Sequence, residues 1–162
     1  MHIQEPLPLY HSWPLFEAPE RFAVGGLLPP DRLPSPAALT PVEDMLAARG
    51  IGVWECNLAD NALLWTSGVY DLFGLPRGVV IERALSVSLY RPDSRRAMET
   101  LRAHTIRYKR GFTVDAELRG ADGGERWMRL SAVPVLDNGK VVRLCGVKID
   151  VTAEYDMQGP VA

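Results

Sequence analysis

Long apolar runs are missing from this sequence. None approaches the ~18 apolar residues a membrane-spanning helix needs, so no membrane span is expected. Cysteine is scarce: Cys56 and Cys145 are the only two among 162 residues. Two cysteines build neither a disulfide framework nor a four-ligand zinc set. Histidine is limited to His2, His11 and His104. Two of these lie near the N-terminus, far along the chain from the third, and no metal site is expected. Charge excess is also absent. A net charge of -2 excludes a basic nucleic-acid binder and an acidic tail protein. The opening "MHIQEPLPLYHSW" has no basic region followed by an apolar stretch, so it does not read as a secretory signal. The expectation is a cytoplasmic protein with reduced thiols.

What is present is unevenly spread. Nine of the 13 prolines fall within residues 1–41, where long helices and central strands are excluded. The same segment carries Leu7, Leu9, Tyr10, Trp13, Leu15 and Phe16. A plain disordered linker is poorer in such residues. Two readings fit: an extended arm that docks on its own domain, a sister subunit or a partner, with Trp13 and Phe16 as anchors, or a tail with incidental aromatics.

The rest of the chain is punctuated clearly. "TPVEDMLAARG" reads as a helix with Thr40 as N-cap, Pro41 at the first turn, Glu43 closing a capping box and Gly50 just past the end. "GVWECNL" (52–58) and "ALLWT" (62–66) read as two strands around the turn "ADN". "SGVYDLFG" (67–74) is a short helix stopped at Gly74. The longest helix lies within 91–111, ended by Gly111. Its apolar face runs through Ala97, Met98, Leu101, His104 or Thr105, and Tyr108. Three strands follow at 112–118, 126–135 and 140–151, joined by "GADGGE" and "LDNG", both with hairpin turn chemistry. This order predicts an α+β domain on one antiparallel sheet, with helices packed on one face. The basic residues of the long helix are interrupted by Glu99 and lack interleaved aromatics, so they read as a solvated face and no nucleic-acid partner is expected.

Within residues 46–156 several pieces combine in a recognisable order: "GVWECNL…LLWT", "YDLFGL", "RPDSRR", then D-G-x-x-R-W (Asp122–Trp127), a D-x-G turn (Asp137–Gly139) and G-x-x-x-D-V-T-x-E (Gly146–Glu154). Together they resemble a PAS domain, the small sensory fold of bacterial signalling proteins. The division that follows is an arm (1–40), a flanking helix (41–50), the PAS domain (51–156) and a short tail (157–162). The resemblance implies a five-stranded antiparallel sheet in the order 2-1-5-4-3 of its own strands. One face of that sheet, with the helices, encloses a pocket. The other packs on flanking segments or a second copy.

Alternation along the last strand separates Val141, Arg143, Cys145, Val147 and Ile149 from Val142, Leu144, Gly146, Lys148 and Asp150. Alternation alone would send the Cys145–Val147–Ile149 set inward. Similarity to the flavin-binding photoreceptor branch implies the reverse, with Lys148 in the pocket. The pocket candidates implied are Trp54, Cys56, Tyr70, Phe73, His104, Leu118, Met128, Leu130 and Lys148. Cys145, Val147 and Ile149, with Trp13 and Phe16, become interface candidates on a face that must be covered. Cys145 should not pair with Cys56. Asp150, Thr152 and Glu154 mark where a signal leaves such a domain.

Flavin is not expected. Ser86 stands where the photoreceptors carry a reactive cysteine, and Leu118, Met128 and Lys148 replace their amides. A haem would need His104 as its iron ligand, without a supporting motif. No cofactor is therefore assigned, and an unknown small molecule is left open. Lys148 facing apolar residues fits a small carboxylate or phosphate; it also fits a lysine that reaches water or pairs with a helix carboxylate. The chain ends at Ala162, which suggests a stand-alone regulator acting on a signalling protein partner, and a homodimer is expected. An isomerase- or hydratase-like enzyme in the same cup would need an acid/base set inside it. Asp115 and Glu117 should face away from that cup.

Overall fold

The structure is a computed structural model describing residues 11–22 and 33–156. Leu7, Leu9, Tyr10 and His2 lie outside the described residues. The strands are β1 (Ser12–Trp13), β2 (Ile51–Asn57), β3 (Leu63–Trp65), β4 (Gly111–Arg119), β5 (Glu125–Asp137) and β6 (Lys140–Asp150). The helices are α1 (Ala18–Arg21), α2 (Glu43–Ala48), α3 (Ser67–Phe73), α4 (Arg83–Ser88), α5 (Pro92–Tyr108) and α6 (Thr152–Asp156). The strands form one antiparallel sheet in the order β1-β4-β5-β6-β2-β3. Five of them take the expected order. The sixth, β1, belongs to the arm and was not expected as a strand.

Turn chemistry sets the hairpins. Asn138 and Gly139 have φ of +50° and +77°, the left-handed pair that a tight β5–β6 turn needs. Asp122 accepts the Gly124 N–H and pairs with Arg126, which donates to the Leu72 carbonyl. The D-G-x-x-R-W motif thus builds the β4–β5 turn and ties it to α3.

Helix punctuation differs from the sequence reading at two places. Thr40 and Glu43 do not form a capping box. Thr40 donates to the Ala37 carbonyl, closing a 3-10 turn at Pro36–Leu39, and α2 begins after Val42. Glu43 instead accepts the Ser67 N–H at the start of α3. The long helix stops at Lys109, which takes the left-handed conformation (φ +57°), and Gly111 already belongs to β4.

Apolar residues fill both faces of the sheet. The inner face, toward α3 and α5, holds Trp54, Cys56, Phe112, Val114, Leu118, Met128, Leu130 and Leu144. The outer face holds Ile51, Val53, Val133 and Val147, covered by Trp13, Phe22, Leu39 and Leu46. Cys145 and Ile149 pack half-buried against this second cluster. The two cysteines lie on opposite faces and both are free. Val141 corrects the parity reading. A register shift opposite Val135 and Leu136 leaves Val142 as an extra residue, so Val141 turns into the inner core.

Trp13 explains how the arm is held. Its backbone pairs with Gly111, its ring is 1% exposed, and its indole N–H donates to Thr113 at 3.0 Å. A Cβ at Gly111 would meet Trp13 ring atoms at 2.2–2.6 Å, so only glycine admits the ring. Phe22 packs edge-on against Trp13 at 6.2 Å. Phe16 is not an anchor on this domain. Its place in the 3-10 turn Leu15–Glu17 leaves it 81% exposed.

Candidate functional site

The inner face is not completely filled. Between β2, β6 and the α4–α5 side lies a cavity of about 50 Å³, lined by Trp54, Cys56, Leu63, Arg83, Ser86, Val87, Tyr90, Met98, Arg102, Phe112, Leu130, Leu144 and Lys148. One water needs about 10–15 Å³ on a comparable measure, so the space suits roughly three to five water-sized groups.

Lys148 is the unusual member. Its residue is 6% exposed. The Nζ atom stands 4.9 Å from the Phe73 ring centroid, 5.1 Å from Trp54 and 5.6 Å from Trp65. The cage is well ordered by its own packing: Phe73 stacks on Trp65 at 5.0 Å, and Tyr70 meets Trp65 edge-on at 5.2 Å. β2–β3 pairing sets Trp54 directly opposite Trp65, which brings both indoles to the lysine. Among the described residues no carboxylate pairs with Lys148. Burial pushes its ammonium down to about 7, with nearby Arg83 adding to the effect and Cys56 opposing it. The indole N–H groups of Trp54 and Trp65 are also buried without an acceptor.

The expected pocket residues divide. Trp54, Cys56, Leu130 and Lys148 line the cavity. Phe73 belongs to the cage, and Tyr70 supports it while donating to the Val79 carbonyl at 2.8 Å. Leu118 and Met128 are inner-face core residues outside the lining. His104 is not a pocket residue: it is half-buried, its ring lies 4.7 Å from Tyr108, and Thr105 takes the inward position. A haem does not fit here, because the ring nitrogen it needs is outside the cavity. A three-ring flavin does not fit the available volume either. Ser86 does line the same cavity as Lys148. The sequence reading missed Leu63, Arg83, Val87, Tyr90, Met98, Arg102, Phe112 and Leu144 as lining residues. Arg83, Val87 and Tyr90 sit on or beside α4, whose sequence "RALSVS" carries no capping signal. Trp65 was recoverable from the hairpin, since parity places it with Trp54.

At the end of β6 the D-V-T-x-E motif fastens α6 to the sheet. Asp150 accepts the Thr152 N–H, and Thr152 Oγ1 accepts the Trp127 N–H. Arg129 bridges Asp115 and Glu154, and the Tyr155 hydroxyl donates to Asp115 at 2.5 Å. Trp127 and Tyr155 stack at 4.0 Å. Burial and the Asp115 contact push the Tyr155 hydroxyl up to about 12. Asp115 is thus committed on the outer face, away from the cavity.

Among the described residues no helix is long and apolar enough to cross a membrane. Known proteins share this architecture. The family profile described as the PAS fold (PAS_3) matches residues 62–148. The sensor protein FixL of Bradyrhizobium diazoefficiens is 26% identical over 111 residues, 68% of this chain and 22% of FixL. The probable diguanylate cyclase DgcE of Escherichia coli is 27% identical over 106 residues, 65% of this chain and 10% of DgcE. The chain therefore spans a small part of either relative's length. Among solved structures, a sensory box histidine kinase/response regulator from Burkholderia thailandensis superposes with a TM-score of 0.59 at 17% identity, covering 72% of this chain and 88% of that one. The N-terminal domain of a diguanylate cyclase with PAS/PAC sensor from Marinobacter aquaeolei gives 0.59 at 20% identity, covering 65% and 98%. Sheet order, the motifs at both hairpins and the profile match agree: this chain belongs to the PAS fold family, a family of sensory domains found in sensor kinases and diguanylate cyclases.

Proposed function

We propose that the chain is a non-catalytic sensory module of bacterial signal transduction. It acts through contacts with a signalling protein and is tuned by a small molecule in the inner-face cavity. The observation that carries this reading is the cavity itself, which ends on a buried lysine with no counter-ion among the described residues. An enzyme is less well supported. The lining holds no carboxylate, Asp115 is tied to Arg129 on the outer face, and His104 lies against Tyr108. The fastened start of α6, through Asp150, Thr152 and Glu154, is the natural exit for a change sensed along β6, because Lys148 and Asp150 share that strand. A partner or second copy would meet surfaces other than the outer sheet face, which the arm and α2 already cover. Exposed Phe16 offers one such contact.

The reading is tested by thermal-shift screening of the purified chain against small metabolites of varied charge, followed by an assay for turnover of any hit. A stabilising ligand recovered unchanged supports it. Turnover of the ligand, or no stabilising molecule at all, contradicts it.

A further inference from the structure

Building on that sensory reading, we infer that the cavity takes a small aliphatic monocarboxylate, whose carboxylate pairs with Lys148 and whose short chain lies along the apolar wall. Three observations combine. The first is hydrogen-bond chemistry. An ammonium carries three donors and no acceptor. Three aromatic rings attract its charge but leave those donors unmet. The Trp54 indole N–H, in the same lining, is a further buried donor without a partner. A group that only accepts is what this surplus calls for, and an ionised carboxylate only accepts.

The second is charge. Two other cations reach the lining. Arg83 pairs with Glu99, and Arg102 donates to the neutral Asn61 side-chain oxygen at an exposed position. Lys148 is the one buried cation of the lining that meets no polar partner among the described residues, and a single negative charge pairs with it, which favours a monocarboxylate over a phosphate dianion. The third is size and polarity. Leu63, Val87, Met98 and Leu144 line the remaining wall, and roughly three to five water-sized groups fit. Acetate, propionate and butyrate are of this size.

The charged and titratable groups around Lys148 fix the pH behaviour. They are Cys56 on β2, Arg83 on α4, Tyr90 beyond it, and Arg102 with the Arg83-paired Glu99 on α5. The residues facing it from β3, α3, β4 and β5 are Trp65, Phe73, Phe112 and Leu130, all apolar or aromatic. None supplies a free negative charge, so the anion must bind the protonated amine, and binding draws a proton in.

The experiment is titration of the full chain with acetate, propionate, butyrate, propionamide and inorganic phosphate, read by tryptophan fluorescence and calorimetry at pH 6 and pH 8. Expected is binding of at least one carboxylate, about tenfold weaker at pH 8 than at pH 6, with propionamide and phosphate weak. Lys148→Met should abolish it while leaving a melting temperature at or above that of the wild type. Equal binding by propionamide, tighter binding of phosphate, or carboxylate binding that survives Lys148→Met overturns the proposal. So does failure of all three carboxylates. If a neutral molecule stabilises the chain instead, the sensory reading stands and the carboxylate assignment falls.

Discussion

The two faces of the sheet are made by the same strands and end in opposite states. The outer face is closed: Trp13, Phe22, Leu39 and Leu46 fill the space over Ile51, Val53, Val133 and Val147. The inner face is packed by α3 and α5 yet keeps a cavity, a caged lysine and two unpaired indole donors. Polar groups on the outer face find partners, as Trp13 does with Thr113, and Asp115 with Arg129 and Tyr155. On the inner face the Trp54 and Trp65 indole N–H groups do not. A face that exists for stability satisfies its donors; a buried donor left unmet is a cost that a ligand can remove.

The largest effect should come from opening the closed face. Trp13→Ala removes a fully buried ring together with its hydrogen bond to Thr113. It should cost about 3–5 kcal/mol in chemical denaturation and expose the arm to proteolysis. A loss below about 1 kcal/mol would mean the arm does not seal that face.

The open face should respond with the other sign. Lys148→Met replaces an unpaired buried cation by an apolar chain of similar length. Without ligand it should stabilise the domain by on the order of 2–4 kcal/mol at pH 6. The pH dependence follows from the lowered amine. Below about pH 7 both folded and unfolded states hold the proton, and the full cost of the buried charge is present. Between about 7 and 10.5 the unfolded chain keeps the proton that the folded chain releases, so wild-type stability rises with pH. The advantage of Lys148→Met should therefore shrink steadily across that window. A gain independent of pH would place the lysine head in water.

Much of this contrast was legible before the structure, and the reasons are physical. Hairpin turns announce themselves through Asp, Asn and Gly, so five of the strands could be read directly; their order across the sheet came from the family resemblance. Alternation alone pointed to the wrong inner face, because Cys145, Val147 and Ile149 make an apolar stripe while Lys148 and Asp150 interrupt the other side. Family resemblance decided that point. The bulge at Val142 leaves no mark in composition, so Val141 was placed on the wrong side. Helical periodicity left His104 and Thr105 open, since both lie on the same flank of α5; packing admits the smaller one. In the arm, apolar content pointed to docking, but the 3-10 turn leaves Phe16 exposed while Phe22, at the end of α1, packs on Trp13. The cavity lining contributed by α4 was hidden, because the residue before that helix, Glu82, makes no side-chain cap.

The smallest effect should be at Phe16. Phe16→Ser alters an exposed ring and should change stability by less than about 0.5 kcal/mol. Its effect belongs in partner capture, where a weakened complex with unchanged melting would mark it as a contact. A melting drop comparable to that of Trp13→Ala would instead make it part of the seal.

The inner face rests on one buried, unpaired ammonium, and the direct measurement is the titration of Lys148 itself. With lysine labelled at the ε position, heteronuclear NMR of the ligand-free chain, assigned by Lys148→Met, should show this side chain titrating near pH 7. A midpoint near the ordinary 10.5 would contradict the caged, unpaired lysine on which the cavity's role depends.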